Sequence, residues 1–327
     1  MWKLEFEKTL FSPIKEDIDI ERANSIKDKN IPTKLYKFKA PSDHLLTSLE
    51  NNTLRAKNVR ELNDITDSFL LLKTEEIFRK SFKSFEGSFV NKYNIQEQFT
   101  DDEIDSIAQD GINLEKIIQI AEKKKLNGWD RISDPTFKEK LRQLIDNFSD
   151  IMASDFNNVI LQGINVICFT NEVENELLWT HYANEQRGIC IEYDFSLLPK
   201  NHPLRMYLYP ILYKKSPLDI TKYIIDKTNN NPLYPIHAAI TKKIIYEYEK
   251  EWRVVFPINS IKNDTDILMP PISTIFIGAR VSHENRMNLL DFCTQKSITL
   301  KEMYVAPREG ILKKQNHSKF LTSHNCG

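Results

Sequence analysis

The sequence has few glycines, and none of the eight stands close to another. Loops that hold phosphate groups through backbone amides need closely spaced glycines, because side chains keep the backbone away from the anion. No G-x-G-x-x-G or G-x-x-x-x-G-K motif occurs in the chain. The sequence therefore argues against a Rossmann dehydrogenase and a P-loop NTPase, and a bound nucleotide would have to be held by other means.

Cysteine is also scarce, with four residues and no Cys-x-x-Cys pair. Cys168 and Cys190 lie in apolar, strand-like runs. This is typical of buried thiols in a reducing compartment rather than of a disulfide or zinc framework. None of the seven histidines has a partner at a recognisable metal-ligand spacing, so we expect no metal.

The chain lacks a strong charge of either sign, since its formal net charge is −1. No global field therefore attracts it to nucleic acid or to an anionic membrane. It also lacks an apolar run of membrane-spanning length, and its first residues lack the basic-then-apolar order of a signal peptide. We expect a cytoplasmic protein that does not contact membranes.

Apolar and polar residues alternate in two parts of the chain, 34–73 and 159–309, and a helical composition separates them at 74–158. The order of predicted strands and helices is too irregular for a doubly wound parallel sheet. We therefore predict an α+β core that is interrupted by a large helical insertion. Residues 1–33 are polar without a clean period and are predicted to be an N-terminal extension. Residues 310–327 are predicted to be a polar tail without a core pattern.

Periodicity and end signals place the individual elements. In the insertion, Thr100 to Glu103 form a predicted capping box, and Asp134-Pro135 is expected to begin a further helix. The predicted strands cover 35–39, 54–57, 164–170, 189–195, 206–209, 211–213, 249–256, 272–278 and 298–305. The predicted helices begin at 42 and near 171 or 174, and two more cover 237–248 and about 283–294.

The stretch from Tyr246 to Phe256 changes from helical spacing to strand alternation, and the functional hypotheses centre on it. On the strand side, Glu249, Glu251 and Arg253 alternate with apolar residues and would share one face. One interpretation is a half-exposed strand on which Glu251 pairs with Arg253 at little gain in stability. The other is a Glu-x-Glu site, in which one carboxylate stabilises a developing cation and its neighbour handles a proton.

Two further segments carry polar groups suited to a site. The turn at 62–67 is rich in side-chain oxygens, and Asn63 and Asp64 either cap the local backbone or contact a ligand. The segment 177–182 places Trp179, His181 and Tyr182 on a predicted helix. Aromatic residues at helical spacing more often pack in a core, and a histidine between them is either structural or part of a site.

Several motifs together resemble a widespread bacterial family of domains of unknown function. In that family the turn usually reads Leu-Asn-Asp-Pro-Phe-Asp, so that Ile65-Thr66 departs from the pattern. The resemblance spans nearly the whole predicted core and implies no settled activity. It rests on Leu35–Phe38, Leu62–Asp67, Cys168–Thr170, Leu178–Ala183, Arg187-Gly188 and Glu249–Arg253.

A more distant similarity is to the ADP-ribosyltransferase superfamily, whose members bind NAD without a glycine motif in a cleft of a split β-sheet. The order of elements carries it: a short strand and helix first, a Phe-Thr strand in the middle, and Glu-x-Glu entering a late strand. The resemblance implies that Glu251 binds the nicotinamide ribose and stabilises an oxocarbenium-like transition state. Glu249 would orient or deprotonate the acceptor.

The same resemblance implies ligand contacts from other segments. Tyr36 or Lys37 would occupy the first-strand position where the superfamily more often has Arg or His. Thr170 would support the site, and His181 and Tyr182 would stack on nicotinamide or hydrogen-bond its amide. We also expect Arg253 and the turn residues Asn63 and Asp64 at this site. For Lys37 and Arg253 the alternatives are a solvated strand residue and a group that neutralises the glutamates.

These observations support two functional hypotheses. The first is NAD-dependent ADP-ribosyl transfer to an unknown protein or nucleic-acid acceptor, or simple NAD hydrolysis, by a toxin or phage-defence effector. The second is a non-enzymatic module that senses a ligand or binds a partner protein in a bacterial defence or mobile-element system. A nuclease is disfavoured, because acidic residues at a metal-ligand spacing are missing.

Overall fold

The computed structural model describes residues 1–64, 66–77, 79–80, 99–109, 113–124, 161–225 and 231–316, together with residues 135, 136, 139 and 143. Among them, no helix is both long enough and apolar enough to cross a bilayer. The predicted helix that follows Asp134 lies largely outside the described residues, as does most of the predicted insertion. The last part of the tail, from 317 onward, also lies outside them.

The described part of the chain contains a nine-stranded mixed sheet, so the predicted α+β class is confirmed. Its order is β15-β14-β13-β6-β1-β5-β11-β7, with β3 pairing on β5 beside this path. The pairs are antiparallel except for β13 with β14, which a long helix connects. The strands are β1 Lys34–Lys39, β2 Thr53–Arg55, β3 Lys57–Asn58, β4 Leu70–Leu71, β5 Asn165–Thr170, β6 Ile189–Asp194, β7 Leu208–Pro210, β8 Leu212–Lys214, β9 Leu218–Asp219, β10 Thr241–Lys243, β11 Glu251–Phe256, β12 Asp266–Leu268, β13 Ile272–Ile277, β14 Thr299–Val305 and β15 Leu312–Asn316.

Helices cover both faces of the sheet and leave apolar clusters between the layers. The described α-helices are Trp2–Leu10, Ile20–Asp28, Leu45–Glu50, Asp101–Ala108, Leu114–Lys124, Glu176–Tyr182, Pro203–Met206, Thr221–Ile225, Tyr234–Ala239 and His283–Lys296. Strand β11 is buried at all six positions, because one of its faces packs in each cluster. Trp252 and Val254 belong to one cluster, and Val255 belongs to the other. The predicted half-exposed strand is therefore wrong: the charged face of β11 lies in the interior.

Strands β1 and β3 share the same edge of β5 but pair with opposite ends of it. Tyr36 of β1 pairs with Thr170, and Lys57 of β3 pairs with Val166. Between these two points the edge of β5 has no strand partner among the described residues. The Lys37 ammonium group enters this gap and donates to the carbonyl oxygen of Cys168 at 2.9 Å. The sheet is thus open beside β5, and the predicted single strand 54–57 is divided between β2 and β3.

The predicted helix 237–248 is wrong. The helix ends at Ala239, β10 follows, and a 3₁₀ helix covers Ile244–Glu249. Strand β10 pairs with β8 in parallel, and this distant partner outweighs the local helical spacing. Branched side chains at Ile240, Thr241 and Ile244 also have a low helix propensity. In consequence, β11 begins at Glu251 rather than at Glu249.

The first residues, which were predicted to be an N-terminal extension, form two helices. Phe6 is fully buried, and Trp2 stacks on Trp252 with ring centroids 6.1 Å apart. Glu7 accepts from Lys214 at 2.5 Å and contacts the His237 ring nitrogen at 3.1 Å. The amphipathic pattern is short because each helix has only nine residues, so the period was not evident in the sequence.

The capping box predicted in the insertion is present, whereas the predicted polar tail contains a strand. Thr100 and Glu103 form the predicted capping box, each accepting from the other's backbone N–H. The tail, by contrast, contains a strand: β15 pairs with β14 over five residues. Leu312 is buried and the following side chains alternate, which is the pattern of an edge strand.

Candidate functional site

A pocket of about 610 Å³ opens beside the gap in the sheet, a volume within the range of about 300–1,000 Å³ that small-molecule sites occupy. Ten residues were predicted from the sequence for a catalytic or ligand-binding role, and the structure brings all of them to this pocket. Their roles stay predictions. They are Tyr36, Lys37, Asn63, Asp64, Thr170, His181, Tyr182, Glu249, Glu251 and Arg253.

The register of the central strands explains how distant segments meet. Thr170 on β5 pairs with Tyr36 on β1 at one side and with Glu251 on β11 at the other. The Thr170 hydroxyl donates to the backbone carbonyl of Glu249 at 2.6 Å. Thr170 therefore supports the acidic segment by fixing its backbone.

Lys242 joins the two glutamates, and no local sequence pattern indicates this role. Its ammonium group donates to Glu249 Oε2 at 2.6 Å and to Glu251 Oε2 at 3.0 Å, and it lies 3.6 Å from Asp67 Oδ2. Lys242 is buried on β10, in the segment that was predicted to be helical. The two carboxylates converge although Glu249 precedes the strand, because Lys250 between them has a left-handed backbone with φ 43° and ψ 48°.

Arg253 holds the other side of the cluster. Its Nε donates to Glu251 Oε1 at 2.6 Å, and its two terminal nitrogens donate to Asp67 Oδ1 and Oδ2 at 2.8 and 2.6 Å. A further bond goes to the carbonyl of Ala239 at 2.7 Å. Each guanidinium nitrogen is thus engaged within the protein. The geometry favours the interpretation that Arg253 neutralises carboxylates over the one in which it contacts a ligand.

The environments of the two glutamates shift their pKa values in opposite directions. Burial tends to raise the pKa of Glu251, but the charges of Arg253 and Lys242 outweigh it and hold this pKa well below its usual range. Burial also raises the pKa of Glu249, and Lys242 offsets this only in part, while the charge of Glu251 adds to it. Divergent pKa values in a pair of carboxyl groups are typical of a fixed anion beside a group that exchanges protons.

Tyr182 connects Glu249 with the pocket wall. Its hydroxyl donates to Glu249 Oε1 at 2.9 Å, and burial together with the charge of Glu249 raises the pKa of this phenol. Trp179 on the same helix is fully buried and donates to the carbonyl of Val173 at 2.6 Å, so the core interpretation holds for it. His181 is exposed at the pocket and lies edge-on to the Tyr182 ring.

The turn after β3 contributes more than its two predicted residues. Asp64 accepts from the backbone and hydroxyl of Thr66 at 2.9 and 2.8 Å, which is the local capping that Asp provides in turns. Asn63 is exposed at the pocket. Asp67, at the end of the same turn, is the residue that reaches the buried cluster. Ile65 lies outside the described residues.

Most of the charge of the cluster is compensated within the protein. Three carboxylates, Asp67, Glu249 and Glu251, face the two cations Lys242 and Arg253. One negative charge is left over when all five groups are ionised, and protonation of Glu249, whose pKa is raised, removes it. Within the described ranges, no three His, Cys, Asp or Glu side chains are arranged to hold a metal ion.

Residues 178–254 match a family described as Protein of unknown function (DUF2971). The matched segment contains Tyr182, Lys242, Glu249, Glu251 and Arg253, so it includes most of the cluster and the aromatic wall beside it. No match was found for the chain among curated proteins or among solved structures.

Proposed function

We propose that the protein consumes NAD, by transfer of its ADP-ribosyl group to an acceptor or to water. The observation that carries the proposal is the Glu249 carboxyl group, which borders the pocket, has a raised pKa and accepts from Tyr182. A buried carboxyl group whose pKa is raised is suited to take up a proton from a reacting group. The distant similarity to ADP-ribosyltransferases and the opening of the sheet beside β5 agree with it.

In the proposed reaction, the bond between C1′ of the ribose and the nicotinamide nitrogen breaks, and nicotinamide leaves with the bonding electrons. Glu249 takes the proton of the attacking water or acceptor hydroxyl as the new bond to C1′ forms. The uncompensated negative charge of the cluster stabilises the positive charge that develops on the ribose. Glu251 acts through Lys242 and Arg253, because both of its oxygens already accept from these two cations.

The first experiment separates transfer from hydrolysis. The protein is incubated with NAD labelled in the adenylate part, in the presence of protein and nucleic-acid acceptors, and released nicotinamide is quantified. Nicotinamide release with free ADP-ribose indicates hydrolysis, and label on an acceptor indicates transfer. Absence of nicotinamide release under both conditions contradicts the proposal.

A second candidate function is a ligand-sensing or partner-binding module. It is favoured by one observation: Glu251 and Arg253 are buried and fully paired with each other and with Asp67, as in a structural network. This candidate predicts that NAD or another nucleotide raises the melting temperature by mass action without being consumed. A panel of nucleotides in a thermal-shift assay, followed by recovery of intact ligand, distinguishes the two functions.

A further inference from the structure

The pocket has a basic wall opposite its acidic end. Strands β1 to β3 place four basic side chains along it: Lys37, Lys39, Arg55 and Lys57. Lys37 and Lys39 lie on the same face of β1, about 6.5 Å apart along the strand, because side chains alternate. Arg55 pairs with Asp266 at 3.3 Å. The three lysines have no carboxylate at ion-pair distance among the residues that the structure describes.

Lys37 and Lys39 donate their hydrogen bonds to neutral groups. Lys37 donates to the carbonyl of Cys168 at 2.9 Å, and Lys39 donates to the hydroxyl of Ser48 at 3.1 Å. Both acceptors are neutral. Burial, and then the like charge of Lys37, lower the pKa of Lys39 to about 8, and the charge of Asp266 offsets this only in part. Cations that are partly buried side by side favour a bound anion.

The basic wall and the acidic cluster lie at different positions along β1. Tyr36 is in register with Thr170 and, through it, with Glu251. Lys39 follows Tyr36 by three residues, which corresponds to about 10 Å along a strand. Tyr182, Tyr246 and Tyr248 line the acidic end and offer rings for a planar group. Lys57 pairs with Val166, four residues before Thr170, so an anion on Lys39 and Lys57 would lie away from Glu249.

We propose that Lys37, Lys39 and Lys57 form a subsite for the phosphate groups of a small-molecule ligand with a diphosphate bridge, such as a dinucleotide. The subsite rests on the proposed function, because it uses the same pocket and extends from Glu249 along β1. The expected ligand has a diphosphate that binds the basic wall and an uncharged or cationic ring that binds at the acidic end. Lysine holds phosphate as a compact charge and needs no glycine loop to do so.

The test measures binding of inorganic diphosphate, ADP-ribose and nicotinamide riboside by calorimetry at matched ionic strength. We expect diphosphate and ADP-ribose to bind the wild-type protein and the riboside, which has no phosphate, to bind much more weakly. The double variant Lys39→Met with Lys57→Met should bind ADP-ribose about tenfold or more weakly, since charge-assisted contacts are lost. The variant Lys39→Arg, which keeps the positive charge, should bind ADP-ribose more tightly than the double variant does.

Lys200→Met is the matched control, because Lys200 is exposed and is not part of the pocket wall. Urea unfolding confirms that each variant is folded, and Lys57→Met alone replaces the double variant if that one is not. Equal ADP-ribose affinity in the wild-type protein and the lysine variants overturns the subsite. Equal binding of nicotinamide riboside and ADP-ribose overturns it as well.

The subsite proposal and the proposed reaction can be refuted independently of each other. Glu249→Gln should retain diphosphate binding, because Glu249 lies at the other end of the pocket. Diphosphate binding without NAD consumption leaves the subsite and removes the reaction. NAD consumption with an unchanged KM in the lysine variants leaves the reaction and removes the subsite.

Discussion

Glu249 and Glu251 share Lys242 as a counter-ion, but they differ in what else surrounds them. Glu251 has the Arg253 guanidinium beside it, whereas Glu249 has the Tyr182 hydroxyl and faces the pocket. The second cation keeps Glu251 ionised, and its absence at Glu249 lets burial raise the pKa of that group. One carboxylate therefore holds the cluster together, and the proposed reaction uses the other for proton transfer.

The two glutamates should differ in their effect on stability. Replacing Glu251 with Gln leaves Arg253 and Lys242 without a full counter-charge in the interior, and we expect a loss of about 3–5 kcal/mol in the free energy of unfolding. Replacing Glu249 with Gln should cost about 1 kcal/mol or less, because the amide oxygen still accepts from Lys242. Urea denaturation of both variants checks this. A larger loss of stability for Glu249→Gln than for Glu251→Gln contradicts the view that Glu251 holds the cluster together.

The pH dependence of stability should report the raised pKa of Glu249. Between the usual value of 4.5 and its raised pKa, the folded protein binds more protons at this group than the unfolded chain does. The contribution of Glu249 to stability therefore decreases as pH rises through this window. We expect the difference in unfolding free energy between wild type and Glu249→Gln to fall from pH 4.5 upward and then level off. A difference that rises with pH in this window contradicts the raised pKa.

Strand alternation predicted that Glu251 and Arg253 share a face, and the residues near Thr170 and Tyr182 were identified from motifs. The partners Lys242 and Asp67 were not. Asp67 could have been included, since it is the last acidic residue of the turn at 62–67, but no sequence pattern pointed to Lys242. Its position depends on the pairing of β10 with β8, which no local pattern encodes.

At the scale of elements, the junction between the 3₁₀ helix and β11 is decisive. Lys250 has a left-handed backbone there, and its side chain pairs with Glu172 at the surface. Lys250→Gly and Lys250→Val both remove this pair, but only valine has a steric cost at positive φ. We expect the valine variant to be less stable than the glycine variant by about 1–2 kcal/mol. Thermal unfolding of the two variants measures it, and equal stability speaks against the strained junction.

The backbone approaches β1 closely at Gly188, the residue immediately before β6. A Cβ atom at Gly188 would lie 2.1 Å from the backbone carbonyl oxygen of Lys39. Gly188→Ala therefore requires β1 to shift, and overpacking of this kind costs about 1–3 kcal/mol. Because Lys39 lines the pocket, we also expect weaker binding of ADP-ribose. An alanine variant with wild-type stability and affinity contradicts this account of the contact.

At the scale of the whole molecule, the first helices are part of the core. Phe6 packs near Phe11 and Tyr209 and is fully buried. Phe6→Ala should lower the free energy of unfolding by about 3–5 kcal/mol. Leu4→Ala is the matched control, since Leu4 lies on the same helix and is 55% exposed, and its effect should stay within about 0.5 kcal/mol. If Phe6→Ala behaves like Leu4→Ala, the helix is an appendage as the sequence suggested.

The α+β class and most strands could be predicted from the sequence, because buried strands such as β5 and β6 are apolar runs of ordinary length. The N-terminal helices, the strand in the tail and the break between β2 and β3 did not. Each of these depends on partners that are distant in sequence, so that tertiary contacts outweigh the local pattern.

The most direct test of the account is the rate of nicotinamide release at saturating NAD by the wild-type protein and by Glu249→Gln, with NAD affinity measured in parallel. The account predicts that the variant binds NAD within a few-fold of wild type. It should release nicotinamide at least about 10²-fold more slowly, because the proton acceptor is missing. Equal rates in the two proteins, or intact NAD after incubation with the wild-type protein, would contradict it.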